Sequence, residues 1–141
     1  MKKIILALSL FSCIAMSVAA QTGKGSIIVV KPDTVNIGEI TLMELNPNHG
    51  KVQITVSNSG NQPLILNEVT GCCGTNIMEW PKAPILPGKS GVIKVEFRIE
   101  PRLQVISRTV TIKSNATNNK VVKVPITGVI IEEKAKNEIK L

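Results

Sequence analysis

Apolar and polar residues alternate with a period of two through most of the chain, and turn residues interrupt the alternation at short intervals. In Lys51–Ser57, Val52, Ile54 and Val56 share one face while Gln53 and Thr55 take the other. That repeat belongs to a pleated strand, not to a helix. The same reading predicts strands at Ser26–Lys31, Val35–Gly38, Leu64–Val69, Gly91–Ile99, Arg108–Ser114 and Val121–Ile131. Ile93, Val95, Phe97 and Ile99 alternate with Lys94, Glu96 and Arg98, which marks Phe97 as core. Val110 and Ile112 are likewise set against Thr109, Thr111 and Lys113. Turns are signalled at Pro32-Asp33, Asn58-Ser59-Gly60-Asn61, Gly88-Lys89-Ser90 and Asn115 to Asn119. Pro125 removes a ladder donor, so its part of the last strand is expected at an edge or a bulge. About seven short strands with no helical period predict an immunoglobulin-like antiparallel β-sandwich. Each sheet is expected to have one buried and one wet face.

The ends of the 141-residue chain read differently. Met1-Lys2-Lys3 is basic, Ile4 to Ala20 carries no charge, and Val18-Ala19-Ala20 offers small residues for cleavage. Residues 1–20 therefore read as a secretory signal peptide, which makes the protein exported, periplasmic or secreted. Leu10-Phe11-Ser12-Cys13 is a looser alternative, a lipobox that would tether the protein to a membrane through Cys13. Residues 21–131 form the predicted domain, and Glu132 to Leu141 is a charged tail.

Composition narrows the chemistry. Residues 21–141 contain 16 Ile and 14 Val against 7 Leu and 3 Ala, a balance suited to sheets and poor for helices. The formal charge is +7, or +5 once Lys2 and Lys3 leave with the signal. The basic residues are scattered singly, and only Trp80 and Phe97 remain as aromatics, so no nucleic-acid surface is indicated. One Asp (Asp33), one His (His49) and no Tyr leave no nucleophile motif and no paired catalytic carboxylates, so the expectation is a non-catalytic protein without a cofactor.

Cys72-Cys73 is the one reactive constellation. Adjacent Cα atoms lie about 3.8 Å apart, closer than the about 4.4–6.8 Å of ordinary disulfides. A disulfide between these two residues would be strained and readily reduced. Three roles stay open: a structural loop pair, a soft-metal site completed by Met78, Met43 or His49, and redox exchange or intermolecular pairing. Trp80, beside Pro81, is the candidate anchor for a protein partner. Asn115-Ala116-Thr117 fits a glycosylation acceptor that a bacterial protein would leave unused.

A family resemblance rests on the order of several motifs. Asp33 to Ile40 precedes the strand ending in Asn58-Ser59-Gly60-Asn61-Gln62-Pro63-Leu64; Gly71-Cys72-Cys73-Gly74-Thr75, Glu79-Trp80-Pro81, Ile85 to Gly91, Ser114-Asn115 and Thr127-Gly128-Val129 follow. From about Val30 to Val129 the chain resembles the exported bacterial domain of unknown function fifteen seventy-three. That family is a sandwich grouped with PapD-like and Hydin-type (ASH) domains. The resemblance implies a fold and a compartment, and no activity. It also exposes a departure. The family pattern has Cys-Gly-Cys-Thr here, whereas Thr75 stands at the second cysteine position and Cys72 lies one place early.

Overall fold

The computed structural model describes residues 25–133. The predicted signal segment, Cys13 and the tail from residue 134 lie outside them. Among the described residues eight strands succeed one another: β1 (Ile28–Lys31), β2 (Val35–Thr41), β3 (Lys51–Asn58), β4 (Leu66–Gly71), β5 (Thr75–Glu79), β6 (Ser90–Phe97), β7 (Gln104–Ser114) and β8 (Val121–Ile131). A 3-10 turn, Pro47–Gly50, leads into β3. The strands form two four-stranded sheets, ordered β1-β3-β6-β5 and β2-β8-β7-β4.

The alternation explains the core. Ile54 and Val56 of β3 and Ile93, Val95 and Phe97 of β6 point inward from one sheet. They meet Ile106, Val110 and Ile112 of β7 and Val124, Ile126 and Ile130 of β8 from the other, in one buried cluster. Each fully buried Ile or Val contributes about 1.5–3 kcal/mol, so this cluster drives the fold.

Eight strands replace the expected seven because β5 was not legible. Its five residues, TNIME, are short, and the register shifts between Ile77 and Glu79. Two further expectations are corrected. β2 runs parallel to β8, so the sandwich is not purely antiparallel. Pro125, moreover, sits inside β8, a central strand paired with both β7 and β2, not at an edge. The Cys72 amide donates to the Thr109 carbonyl, so the backbone groups of Thr109 point toward β4. Pro125, which faces Thr109, therefore turns its nitrogen away from β7. β2 begins only opposite Ile126, so no ladder bond is lost there.

None of the four sheet edges is plain. β2, β4 and β5 each carry a register shift. β1 lacks one, but the Asn118 side chain caps it. The Ile28 amide donates to Asn118 Oδ1 at 3.0 Å, and Asn118 Nδ2 donates to the Ile28 carbonyl at 3.0 Å. Bulges and caps of this kind keep an edge from recruiting other strands.

The turns fold for two different reasons. Gly88 has φ 75°, a left-handed conformation that glycine adopts without penalty. Gly60 is needed for closeness instead, since a Cβ there would lie 2.2 Å from the Gly25 carbonyl oxygen.

Candidate functional site

Cys72 and Cys73 lie in the connection Gly71-Cys72-Cys73-Gly74-Thr75, which carries the chain from β4 in one sheet to β5 in the other. The Cys72 amide bonds the Thr109 carbonyl at 3.0 Å, and the Thr75 amide bonds the Cys72 carbonyl at 3.1 Å. Between those anchors Cys73 has φ 60° and Gly74 φ 78°. The left-handed geometry costs a non-glycine residue about 1–2 kcal/mol, so the surroundings must hold Cys73 in place. Arg108 contributes to this, because its Nη1 donates to the Cys73 carbonyl.

Both cysteines are exposed and are free thiols. The Cys72 thiol lies below the usual thiol range, chiefly because the Cys73 side chain hydrogen-bonds to it, with the Thr109 bonds and the Arg108 charge adding to the effect. The Cys73 thiol is pushed up, chiefly by that same bond to Cys72. Cys72 is thus the more readily ionised of the two.

The other candidate ligands have structural places. Nδ1 of His49 accepts the Asn46 amide at 3.1 Å and completes a capping box with Asn46. Met43 follows β2, whereas the cysteines follow β4, the opposite edge of the same sheet. Met78 is exposed at the register shift of β5. Among the described residues, no three His, Cys, Asp or Glu side chains form a group that could hold a metal ion. Trp80 is half-buried against the core, and Lys82 Nζ stands 3.2 Å from its ring centroid. Its ring is therefore partly covered already.

Residues that the periodicity did not single out surround the cysteine loop. Arg108 shares the inward parity of Val110 and Ile112, so its side chain enters the sandwich beside the β4–β5 connection. Its Nε is buried and has no hydrogen-bond partner among the described residues. A cavity of about 240 Å³ opens there, lined by Cys73, Gly74, Arg98, Glu100, Arg102, Gln104 and Arg108. A larger one of about 490 Å³ adjoins it through Arg98, with Leu45, Pro47, Phe97 and Ile99 among its walls. On the outer face of the second sheet, Val105 faces Val129 across β7 and β8, and Leu103 precedes Gln104, which faces Ile130. Val105 is 78% exposed, Leu103 53% and Met43 80%. Met43 joins this corner because the preceding Leu42 amide bonds the Ile131 carbonyl at 3.0 Å.

Among the described residues, no helix is long and apolar enough to cross a membrane. No sequence among curated proteins matches the chain. Solved structures with a similar fold include a protein of unknown function from Porphyromonas gingivalis W83, with TM-score 0.58 and 18% identity over 74% of this chain and 46% of that one. The secreted serine protease VesC from Vibrio cholerae aligns with TM-score 0.57 and 14% identity, over 79% of this chain and 24% of that one. The E. coli chaperone DraB aligns with TM-score 0.50 and 12% identity, over 79% of this chain and 58% of that one. The matched region is thus a part of each of these longer chains, and identities this low establish the fold alone. At the level of sequence the match is direct: residues 28–130 fit the family described as Protein of unknown function (DUF1573), and the chain belongs to that family.

Proposed function

We propose that this protein is an exported, non-catalytic immunoglobulin-like module that binds a protein partner or serves as an envelope scaffold. The observation that carries the reading is the apolar corner formed by Met43, Leu103, Val105, Val129 and Ile131. Its first three members are exposed, and the β-branched pair Val105 and Val129 faces outward across two central strands. Outward strand positions of a sandwich are ordinarily polar, and a contiguous exposed apolar patch marks a contact surface. Strand addition at an edge is the less favoured mode, because every edge is shifted or capped. The chaperone fold of DraB lends the reading an analogy of architecture, and no more.

The test is co-purification of envelope proteins with the exported domain, alongside a Leu103→Glu/Val105→Glu variant of matched thermal midpoint. Partners that are retained by the parent and lost by the variant are the expected result. An identical set from both proteins would overturn the assignment of this surface. A thiol-based role is a second reading, supported by the exposure of both cysteines and the lowered Cys72 thiol. Titration with Cu(I) against a chelator, comparing the parent with Cys72→Ser, decides it. Equal and negligible uptake by both removes a metal role.

A further inference from the structure

We propose that the basic cavity beside Cys73 receives the carboxylate of an acidic residue in a partner peptide, while the adjoining apolar cavity takes its neighbouring side chain. The inference rests on the protein-binding reading, but it concerns a different surface from the apolar corner. Three separate segments build the basic cavity: the β4–β5 connection supplies Cys73 and Gly74, the β6–β7 loop supplies Arg98, Glu100 and Arg102, and β7 supplies Gln104 and Arg108.

The charges around it do not balance. Three guanidiniums face one carboxylate, and that carboxylate is engaged, since Glu100 Oε2 stands 2.7 Å from Arg102 Nε. The Glu100 carbonyl is also occupied, accepting from the Arg102 amide and from Gln104 Nε2, both at 2.8 Å. Arg108 donates to the neutral Cys73 carbonyl, and neither Arg108 nor Arg98 has a salt bridge among the described residues. A net charge of +2 therefore surrounds a recess of about 240 Å³. Guanidinium forks match carboxylate geometry better than any other side chain.

Arg98 also sets the register of the ligand. It lines both cavities, so a carboxylate at Arg98 places the next part of the ligand in the larger recess. The apolar part of that recess is walled by Leu45, Pro47, Phe97, Ile99 and Pro101, with Asn46, Asn76 and Glu96 as polar members besides Arg98. A small free acid would fill the first cavity and leave the second empty. A peptide with a glutamate beside a leucine fills both.

The experiment is calorimetric titration of the exported domain with three probes: a blocked pentapeptide with a central glutamate flanked by leucines, its glutamine counterpart, and succinate. The glutamate peptide is expected to bind at least tenfold more tightly than either of the others. Its affinity should fall at least tenfold in Arg98→Gln/Arg102→Gln. Both positions lie outside the core, and an unchanged thermal midpoint would confirm that the variant folds. Equal binding of the glutamate and glutamine peptides would overturn the proposal, as would succinate binding as tightly as the peptide. An unaffected Arg98→Gln/Arg102→Gln variant would overturn it too. Leu103→Glu/Val105→Glu separates this surface from the apolar corner, since loss of the envelope partner there with peptide binding retained would leave the cavity assignment standing.

Discussion

The two sulfur atoms in the β4–β5 connection differ although their residues are adjacent. Cys73 donates a hydrogen bond that favours the Cys72 thiolate, and holding that proton raises its own pKa. Cys72 should therefore be alkylated by iodoacetamide at lower pH than an ordinary thiol. In Cys73→Ala the donor is gone, and the pH at which Cys72 begins to react should shift upward. In Cys72→Ala the reactivity of Cys73 should move to lower pH, because its acceptor has been removed. Rates followed by mass spectrometry between pH 6 and pH 9, on the order of the ordinary thiol range, check both signs. If the two single variants react alike across that range, this account of the pair fails. Asn58 shows a comparable economy in the buried interior. Its Oδ1 accepts from the amides of Ile27 and Gly60, and its Nδ2 donates to the carbonyls of Gln62 and Ile85. All four side-chain bonding positions are filled at a residue only 1% exposed. Asn58→Ala would take a partner from the Ile27 and Gly60 amides and from the Gln62 carbonyl, while the Ile85 carbonyl keeps the Leu64 amide, and leaving a buried group unsatisfied costs about 1–3 kcal/mol. A loss of at least about 2 kcal/mol in urea denaturation is expected.

At the level of elements, what the sequence disclosed depended on whether the signal was local. β3, β6, β7 and β8 carry clean period-two faces, and those faces are the ones that meet in the core. The turn Asn58 to Leu64 was legible as a turn, because asparagine and glycine have backbone preferences of their own. The clamp it belongs to was not, since it joins Asn58 to Ile27 and Ile85, distant in sequence. Asn115 is similar. In sequence it reads as a glycosylation acceptor; in the fold its Oδ1 accepts the Ile65 amide at 2.8 Å and Nδ2 donates to the Pro63 carbonyl. Asn118, which caps β1, gave no local sign at all. Arg108 could have been found by parity, because it falls on the same face as Val110 and Ile112. The parallel pairing of β2 was not readable from alternation, but one glycine explains how it fits. A Cβ on Gly128 would stand 2.3 Å from Ile37 Cγ1, so the side chain of Ile37 occupies the space that Gly128 leaves. Gly128→Ala should cost about 1–3 kcal/mol through overpacking. In an Ile37→Ala background the same substitution should cost less, and a double-mutant cycle by chemical denaturation should give a favourable coupling of at least about 0.5 kcal/mol. Strict additivity would mean that the clash is relieved elsewhere.

For the molecule as a whole, the residues that follow the two candidate processing positions bear on the export reading. The Gly25 amide donates to Asn61 Oδ1 at 2.8 Å, and its carbonyl accepts the amides of Asn61 and Gln62. Ser26 is buried and bonds the Asn115 carbonyl through its hydroxyl at 3.1 Å. Gly25 and Ser26 are therefore tied into the hydrogen-bonded structure. Cleavage after Ala20 would leave Gln21, Thr22, Gly23 and Lys24 ahead of Gly25. Lipidation at Cys13 would also leave Ile14 to Ala20, a stretch that contains no charge and is mostly apolar. A short polar lead suits a protein released after export, whereas a mostly apolar spacer would be a poor tether between a membrane and a folded domain. Intact-mass measurement of the protein from a bacterial envelope fraction is expected to show an N-terminus at Gln21 and recovery in the soluble portion. A Cys13→Ala substitution should change neither the mass of the exported form nor its partition. Recovery with the membranes, at a mass corresponding to a diacylated Cys13 and abolished by Cys13→Ala, would instead place the domain on a lipid anchor, and its apolar corner and basic cavity would then meet their partners at a membrane surface.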